Sequence, residues 1–235
     1  QNFILLIRNA ESLSANLDLI PRSKFDHSGR IIIVVKKPWM SKQDVFDNMK
    51  EIFSACWDLK MANVIAVASY GGNVSIFTHF PYVANKCGVL HIEEINQWVG
   101  ESFVKNINLY PQKTKEMEGC PVIVTAIDRF PHVILTRSNN TLSISGMEGQ
   151  LVRLLSELMN FTLIVTEPKD GRFWGHWNGE KWTGATGDLV YNKADIGIGA
   201  YYPSLRRVEE IDISYGYNTV YIVWTVKKVE KGLAG

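Results

Sequence analysis

Cysteine is scarce in this sequence. Cys56, Cys87 and Cys120 are the only three, and no two form a C-x-x-C pair. Cysteines alone therefore cannot build a zinc site. Long hydrophobic runs are missing too. The best, Ile31 to Val35 and Val220 to Trp224, are strand-length, so the chain as given does not span a bilayer. Neither sign of charge is in excess: Lys+Arg 25 against Asp+Glu 24 leaves +1. A general nucleic-acid binder would show a basic surplus. The chain opens on Gln1-Asn2-Phe3, with no initiator methionine and no charged-then-apolar leader. The expectation is a processed chain or a fragment.

Catalytic signatures are absent as well. There is no G-x-S-x-G, no H-E-x-x-H and no G-x-x-x-x-G-K-[ST]. Gly197-Ile198-Gly199 starts like a dinucleotide fingerprint but lacks the third glycine and the opening helix. His27, His79, His91, His132 and His176 are scattered, and no two have metal-ligand spacing on one element. We expect no enzyme, no metal and no cofactor. Trp174, Trp177 and Trp182 cluster with Gly171, Gly175 and Gly179. They read as a long loop pinned to a core by aromatic side chains, in preference to a stacking platform for a ligand.

What is present is an ordinary globular composition, 46% hydrophobic and 21% charged, patterned as α/β. Phe3–Ile7 reads as a buried strand. Arg30–Val35 is a second, ended by Lys36-Lys37-Pro38-Trp39. Ser41 caps a helix that runs to about Cys56, with Val45, Met49, Ile52 and Phe53 as its apolar stripe. A strand at 63–68, a turn at Gly71-Gly72-Asn73 and an alternating strand at 74–80 follow. His91-Ile92-Glu93-Glu94 reads as a solvated helix start. Residues 111–119 are polar and turn-rich and read as a linker. A second α/β segment follows, with a strand at 122–127 and extended chain at 131–135. A helix over 149–159 carries Leu151, Leu154, Leu155 and Leu158 on one face, with Asn160 as its C-cap. Strands at 161–165, 194–199 and 219–226 and short helices at 184–192 and from Ser204 complete it. Asn73, Asn139 and Asn160 each begin an N-x-[ST] acceptor. If the route is secretory, two of the three cysteines pair; which two is open.

The run from Trp182 to Ser214, containing Trp182-Thr-Gly-Ala-Thr-Gly-Asp-Leu-Val-Tyr-Asn-Lys-Ala-Asp-Ile and then Arg207-Val-Glu-Glu-Ile-Asp-Ile-Ser, is the informative stretch. It resembles the ionotropic glutamate receptor family, in the first half of its ligand-binding clamshell. Gly146-Met147-Glu148-Gly149 with the Leu-rich helix looks like the family's preceding helix. Gly119-Cys120-Pro121-Val122 after a Lys-rich linker is similar to the boundary in the arthropod chemosensory branch, the ionotropic receptors. The resemblance covers roughly 120–228, and Lys227-Lys228 sits where the family leaves the lobe toward its first membrane helix.

The resemblance implies a reduced, variable extracellular N-terminal α/β domain at 1–110, a linker at 111–119, and lobe one of a periplasmic-binding-protein-like clamshell at 120–228. A tail at 229–235 would lead to a membrane helix. It implies the extracellular ligand-binding part of a ligand-gated cation channel subunit at the plasma membrane, glycosylated at Asn73, Asn139 and Asn160. Its partners would be a small molecule, a carboxylate or an amine, and other subunits in a hetero-oligomer, a tetramer in the full protein. The alternative is a soluble solute-binding protein. Arg207 aligns with the arginine that holds a ligand carboxylate, and Ser204 would cap its helix so that end donors and guanidinium converge. Ala200 and Tyr202 stand where the family's amino-acid binders carry Pro-x-Thr. Met147 replaces a covering aromatic, and Arg129 an acidic residue.

Overall fold

The computed structural model describes residues 2–17, 29–39, 41–84, 86–139, 141–170 and 173–217, with Thr219 and Thr225. Those two threonines apart, the expected strand at 219–226, the Lys227-Lys228 exit and the tail lie outside the described residues, as does His27.

β1 (Phe3–Ile7) leads to α1 (Ala10–Leu17), which the sequence reading did not find. β2 (Ile31–Trp39), α2 (Lys42–Asp58) and β3 (Val64–Tyr70) form a strand–helix–strand unit with parallel strands. β4 (Asn73–Phe80), β5 (His91–Val99) and β6 (Ser102–Phe103) extend the sheet antiparallel, in the order β1-β2-β3-β4-β5-β6. The β-branched run at 31–35 suits a half-buried pleated surface. Ser41 caps α2 as expected: its Oγ accepts from the Asp44 N–H at 3.1 Å. Val45, Met49, Ile52 and Phe53 are fully buried against the sheet, each contributing on the order of 1.5–3 kcal/mol. The hairpin between β3 and β4 needs positive φ at Gly71 (59°) and Gly72 (82°), which glycine supplies without strain.

Three expectations for this unit change. β1 is buried on one face only, since Ile4 and Leu6 are exposed at 69% and 58%. Lys36–Trp39 does not end β2: pairing resumes at Trp39 opposite Tyr70 after a register shift. His91–Glu94 is the start of β5, not of a helix; Glu93 and Glu94 lie opposite Thr78 and Phe77. Pairing with β4 supplies backbone bonds that the local sequence does not announce.

The second unit has β7 (Pro121–Ala126), a hairpin of β8 (Ile134–Ser138) and β9 (Thr141–Ser145), and α3 (Gly146–Met159). β10 (Thr162–Thr166), α4 (Gly184–Val190), β11 (Ile196–Ile198) and α5 (Leu205–Val208) follow. β7 is central, with β10 and β11 parallel on either side. Asn160 ends α3 in the left-handed region, φ 50° and ψ 59°, the C-cap expected of it. Of the leucine stripe expected on one face, Leu155 alone packs against the core. Leu151, Leu154 and Leu158 are exposed at 43%, 51% and 68%, while Glu148, Gly149 and Val152 are buried. The helix begins three residues early and is turned so that Gly149 lies against Ile144.

Residues 111–119 are no free tether. The Lys113 side chain is buried and its Nζ donates to the Ala62 carbonyl at 2.6 Å. Met117 enters the second core. A disulfide joins Cys87 to Cys120, and Cys56 is buried and free.

Candidate functional site

The order β10-β7-β11 places two parallel strands on opposite sides of β7, an arrangement that opens a crevice at the carboxyl ends of the strands. The segments leaving all three strands meet there. Ile127, just after β7, donates its N–H to the Ile198 carbonyl at the end of β11, 3.0 Å away. Arg129 follows β7, Trp174 lies in the loop after β10, and Ala200–Arg207 follow β11.

These segments form a stack of cations and rings. The Arg129 guanidinium lies 5.1 Å from the Trp174 ring, and Trp174 meets Tyr202 edge-on at 6.4 Å. The Arg207 guanidinium lies 4.8 Å from the Tyr202 ring and 5.8 Å from that of Tyr201. Such contacts are worth about 0.5–2 kcal/mol each, more when desolvated. Burial pushes the Tyr201 phenol up to about 12. The Trp174 Nε1–H donates to the Gly199 carbonyl at 2.7 Å, and its own carbonyl accepts from the Thr186 hydroxyl at 2.6 Å. The loop is thus pinned by an aromatic residue, whose ring also carries the Arg129 guanidinium.

Arg207 is 7% exposed. Its Nη2 donates to the Gly175 carbonyl at 3.0 Å and its Nη1 to the Tyr202 carbonyl at 3.5 Å. Gly175 must be glycine: a Cβ there would sit 1.7 Å from the Thr183 carbonyl oxygen. No carboxylate lies within 4.0 Å of this guanidinium among the described residues. The expected convergence of helix-end donors is corrected: α5 has four residues, Ser204 makes no side-chain cap, and the N–H groups of Arg207 and Val208 turn back to the Ser204 carbonyl.

Tyr202, 57% exposed, joins the stack. Ala200 supplies a turn with φ 55°. Met147 is 46% exposed on the same outward face of α3 as Leu151 and Leu154. Asn73, Asn139 and Asn160 are all exposed.

One residue was missed. Glu148, 4% exposed in the first turn of α3, accepts from the N–H groups of Gly199 (2.7 Å) and Ala200 (2.8 Å) and from the Tyr217 hydroxyl. The only signal in the sequence is a lone carboxylate at the start of an apolar helix. A second cluster of titratable side chains lies in the first unit and the segment that follows it. Burial pushes the Cys56 thiol up to about 12, the His79 imidazole down to about 3 and the Lys113 amine down to about 7.

Residues 1–116 match the family model described as putative ionotropic receptor, ligand binding domain. Residues 121–230 match the one described as ligated ion channel L-glutamate- and glycine-binding site. The chain is similar to Ionotropic receptor 21a of Anopheles gambiae, 23% identical over 151 residues; this covers 61% of the chain but only 15% of that relative. Solved structures it resembles include the Drosophila muscle GluRIIB complex with glutamate (19% identity, 37% of this chain and 36% of that one, TM-score 0.34). Another is the AvGluR1 ligand-binding domain complexed with alanine (20% identity, 40% and 36%, TM-score 0.30). Two consecutive family models and a receptor homologue converge on one assignment: the chain belongs to the ionotropic glutamate receptor family, in its chemosensory ionotropic-receptor branch, whose members are receptors and not enzymes.

Proposed function

We propose that the chain is the extracellular ligand-binding part of a ligand-gated cation channel subunit at the plasma membrane, and that its site takes a small molecule bearing a carboxylate. The observation that carries the ligand class is the buried Arg207 guanidinium, stacked on Tyr202 with no carboxylate within 4.0 Å among the described residues. A desolvated charge is costly unless paired. Carbonyls and ring faces offset part of that cost, and a ligand carboxylate would offset more through a short, directional pair. Arg129 brings a second cation to the same aromatic stack. An amine would meet two guanidiniums there, and the Glu148 carboxylate is already occupied by backbone donors.

In this reading residues 120–228 are lobe one, 1–110 a separate N-terminal unit and 111–119 the connection; family matches that stop at 116 and resume at 121 support the division. Ligand docks on lobe one, a second lobe closes over it, and the closed state is selected by its higher affinity. Other subunits would complete a hetero-oligomeric tetramer. A disulfide and three exposed acceptor asparagines suit an extracellular setting, with Asn73, Asn139 and Asn160 as glycan sites.

Titrating the chain with benzoate and with benzylamine, followed by tryptophan fluorescence, tests the ligand class. Benzoate gives a saturable change and benzylamine none. Arg207→Lys weakens benzoate roughly tenfold or more, because an ammonium presents neither the planar fork nor the stack. A flat benzoate titration, or an equal response to the amine, refutes the reading.

A further inference from the structure

We propose that Glu148 is the positioning residue of this site, a buried carboxylate that sets the backbone of Gly199–Ala200 and through it the ring of Trp174 and the approach to Tyr202 and Arg207. The inference rests on the reading of 199–207 as the ligand segment.

Three separate stretches of chain converge on this one side chain. Oε2 accepts from the Gly199 N–H at 2.7 Å, and Oε1 from the Ala200 N–H at 2.8 Å. The Tyr217 hydroxyl donates to Oε1, and the His132 Nδ1 lies 3.4 Å from the same oxygen. Glu148 is itself fixed, since its N–H donates to the His132 carbonyl at 2.8 Å. A carboxylate has about four acceptor positions, and three of them are taken here by the two backbone N–H groups and the Tyr217 hydroxyl. The first turn of α3 also favours negative charge.

The segment it holds would not hold itself. Ala200 has φ 55°, a left-handed conformation that a residue with a Cβ resists, and Gly199 has φ 136°. At Gly199 a Cβ would sit 2.7 Å from the Cβ of Ile127, so the strand end passes too close for any side chain. Such a turn persists where its surroundings over-determine it. Two carboxylate bonds supply that on one side. The Trp174 indole supplies it on the other, donating to the Gly199 carbonyl at 2.7 Å. The residue that Glu148 grips by its N–H therefore also carries the acceptor that orients Trp174. Three residues on, the carbonyl of Tyr202 accepts from Arg207. Glu148 touches no ligand in this scheme and acts through the backbone.

Glutamine is not a conservative replacement. Its oxygen can accept from one of the two N–H groups, while its NH2 would oppose the other donor. The test is fluorine NMR of the whole chain labelled with 5-fluorotryptophan, the Trp174 signal being assigned by Trp174→Phe. Glu148→Gln shifts or broadens the Trp174 signal and leaves that of Trp57, in the other unit, in place. It also weakens benzoate roughly tenfold, whereas Arg206→Ala does not. A folded Glu148→Gln chain with an unmoved Trp174 signal overturns the proposal. A second measurement needs no variant: in the wild type, the Gly199 and Ala200 amides must be protected from hydrogen exchange, and free exchange of both overturns it equally. If those amides are protected and the Trp174 signal moves, but the wild type binds no benzoate, Glu148 keeps its role and the carboxylate reading of the site falls.

Discussion

Replacing Lys113 with methionine should stabilise this protein at neutral pH. Lys113 is 8% exposed, with its Nζ on the Ala62 carbonyl and no carboxylate within 4.0 Å among the described residues. Burial lowers its amine from 10.5 to about 7. Each pH unit of that span is worth about 1.36 kcal/mol, so charging the buried amine opposes folding by ~5 kcal/mol. The sign follows from proton counts: between pH 7 and 10.5 the unfolded chain holds the proton and the native chain does not, so stability rises with pH across that window. Methionine removes this penalty but leaves the Ala62 carbonyl without its donor, at about 1–3 kcal/mol. The net gain at pH 7 is ~2–4 kcal/mol, or roughly 4–16 °C in Tm for a chain of this size. Urea unfolding of the oxidised protein at pH 7, 8 and 9 measures it. The range stops at 9 because the Cys56 thiol, raised from 9.0 to about 12, makes stability fall above that pH. Across those two units the advantage of the variant should shrink by ~2.7 kcal/mol. A variant that gains nothing at pH 7, or whose advantage does not change with pH, would refute the reasoning.

The remaining predictions use the same junction. Breaking the disulfide with Cys87→Ser and Cys120→Ser frees a loop spanning 33 residues and should cost ~4 kcal/mol in urea unfolding. Burial lowers His79 from 6.5 to about 3. The wild type should therefore lose ~1.4 kcal/mol per pH unit on acidification through that window relative to His79→Phe, whose ring keeps the contact with Phe53; parallel acid profiles would count against it. Trypsin should cut after exposed Lys115 well before buried Lys113 if 111–119 joins two units, as peptide mapping of the first cleavage would show.

The sequence by itself determined the elements whose cause is local. A β-branched run, a serine ahead of an apolar stripe, two glycines between strands and an asparagine after a helix each act within a few residues of themselves. The start of β2, α2, the β3–β4 turn and the end of α3 accordingly fall where expected. The motif from Trp182 to Ser214 likewise identified the family, because many residue types at fixed spacing leave little to chance. Tertiary structure decided whatever depends on a partner far along the chain. Glu93 and Glu94 joined a strand because β4 offered them backbone bonds. Leu151, Leu154 and Leu158 of α3 turned outward because Gly149 and Val152 fit the core more closely. Cys87 found Cys120, and Lys113 found the Ala62 carbonyl, neither pairing being written in spacing. At the candidate site, sequence named Arg207 and Tyr202, but burial of Arg207 against Gly175 and the grip of Glu148 on Gly199–Ala200 link residues 32 and about 50 positions apart. No local pattern encodes such contacts, since they exist only once three parallel strands bring their carboxyl ends together.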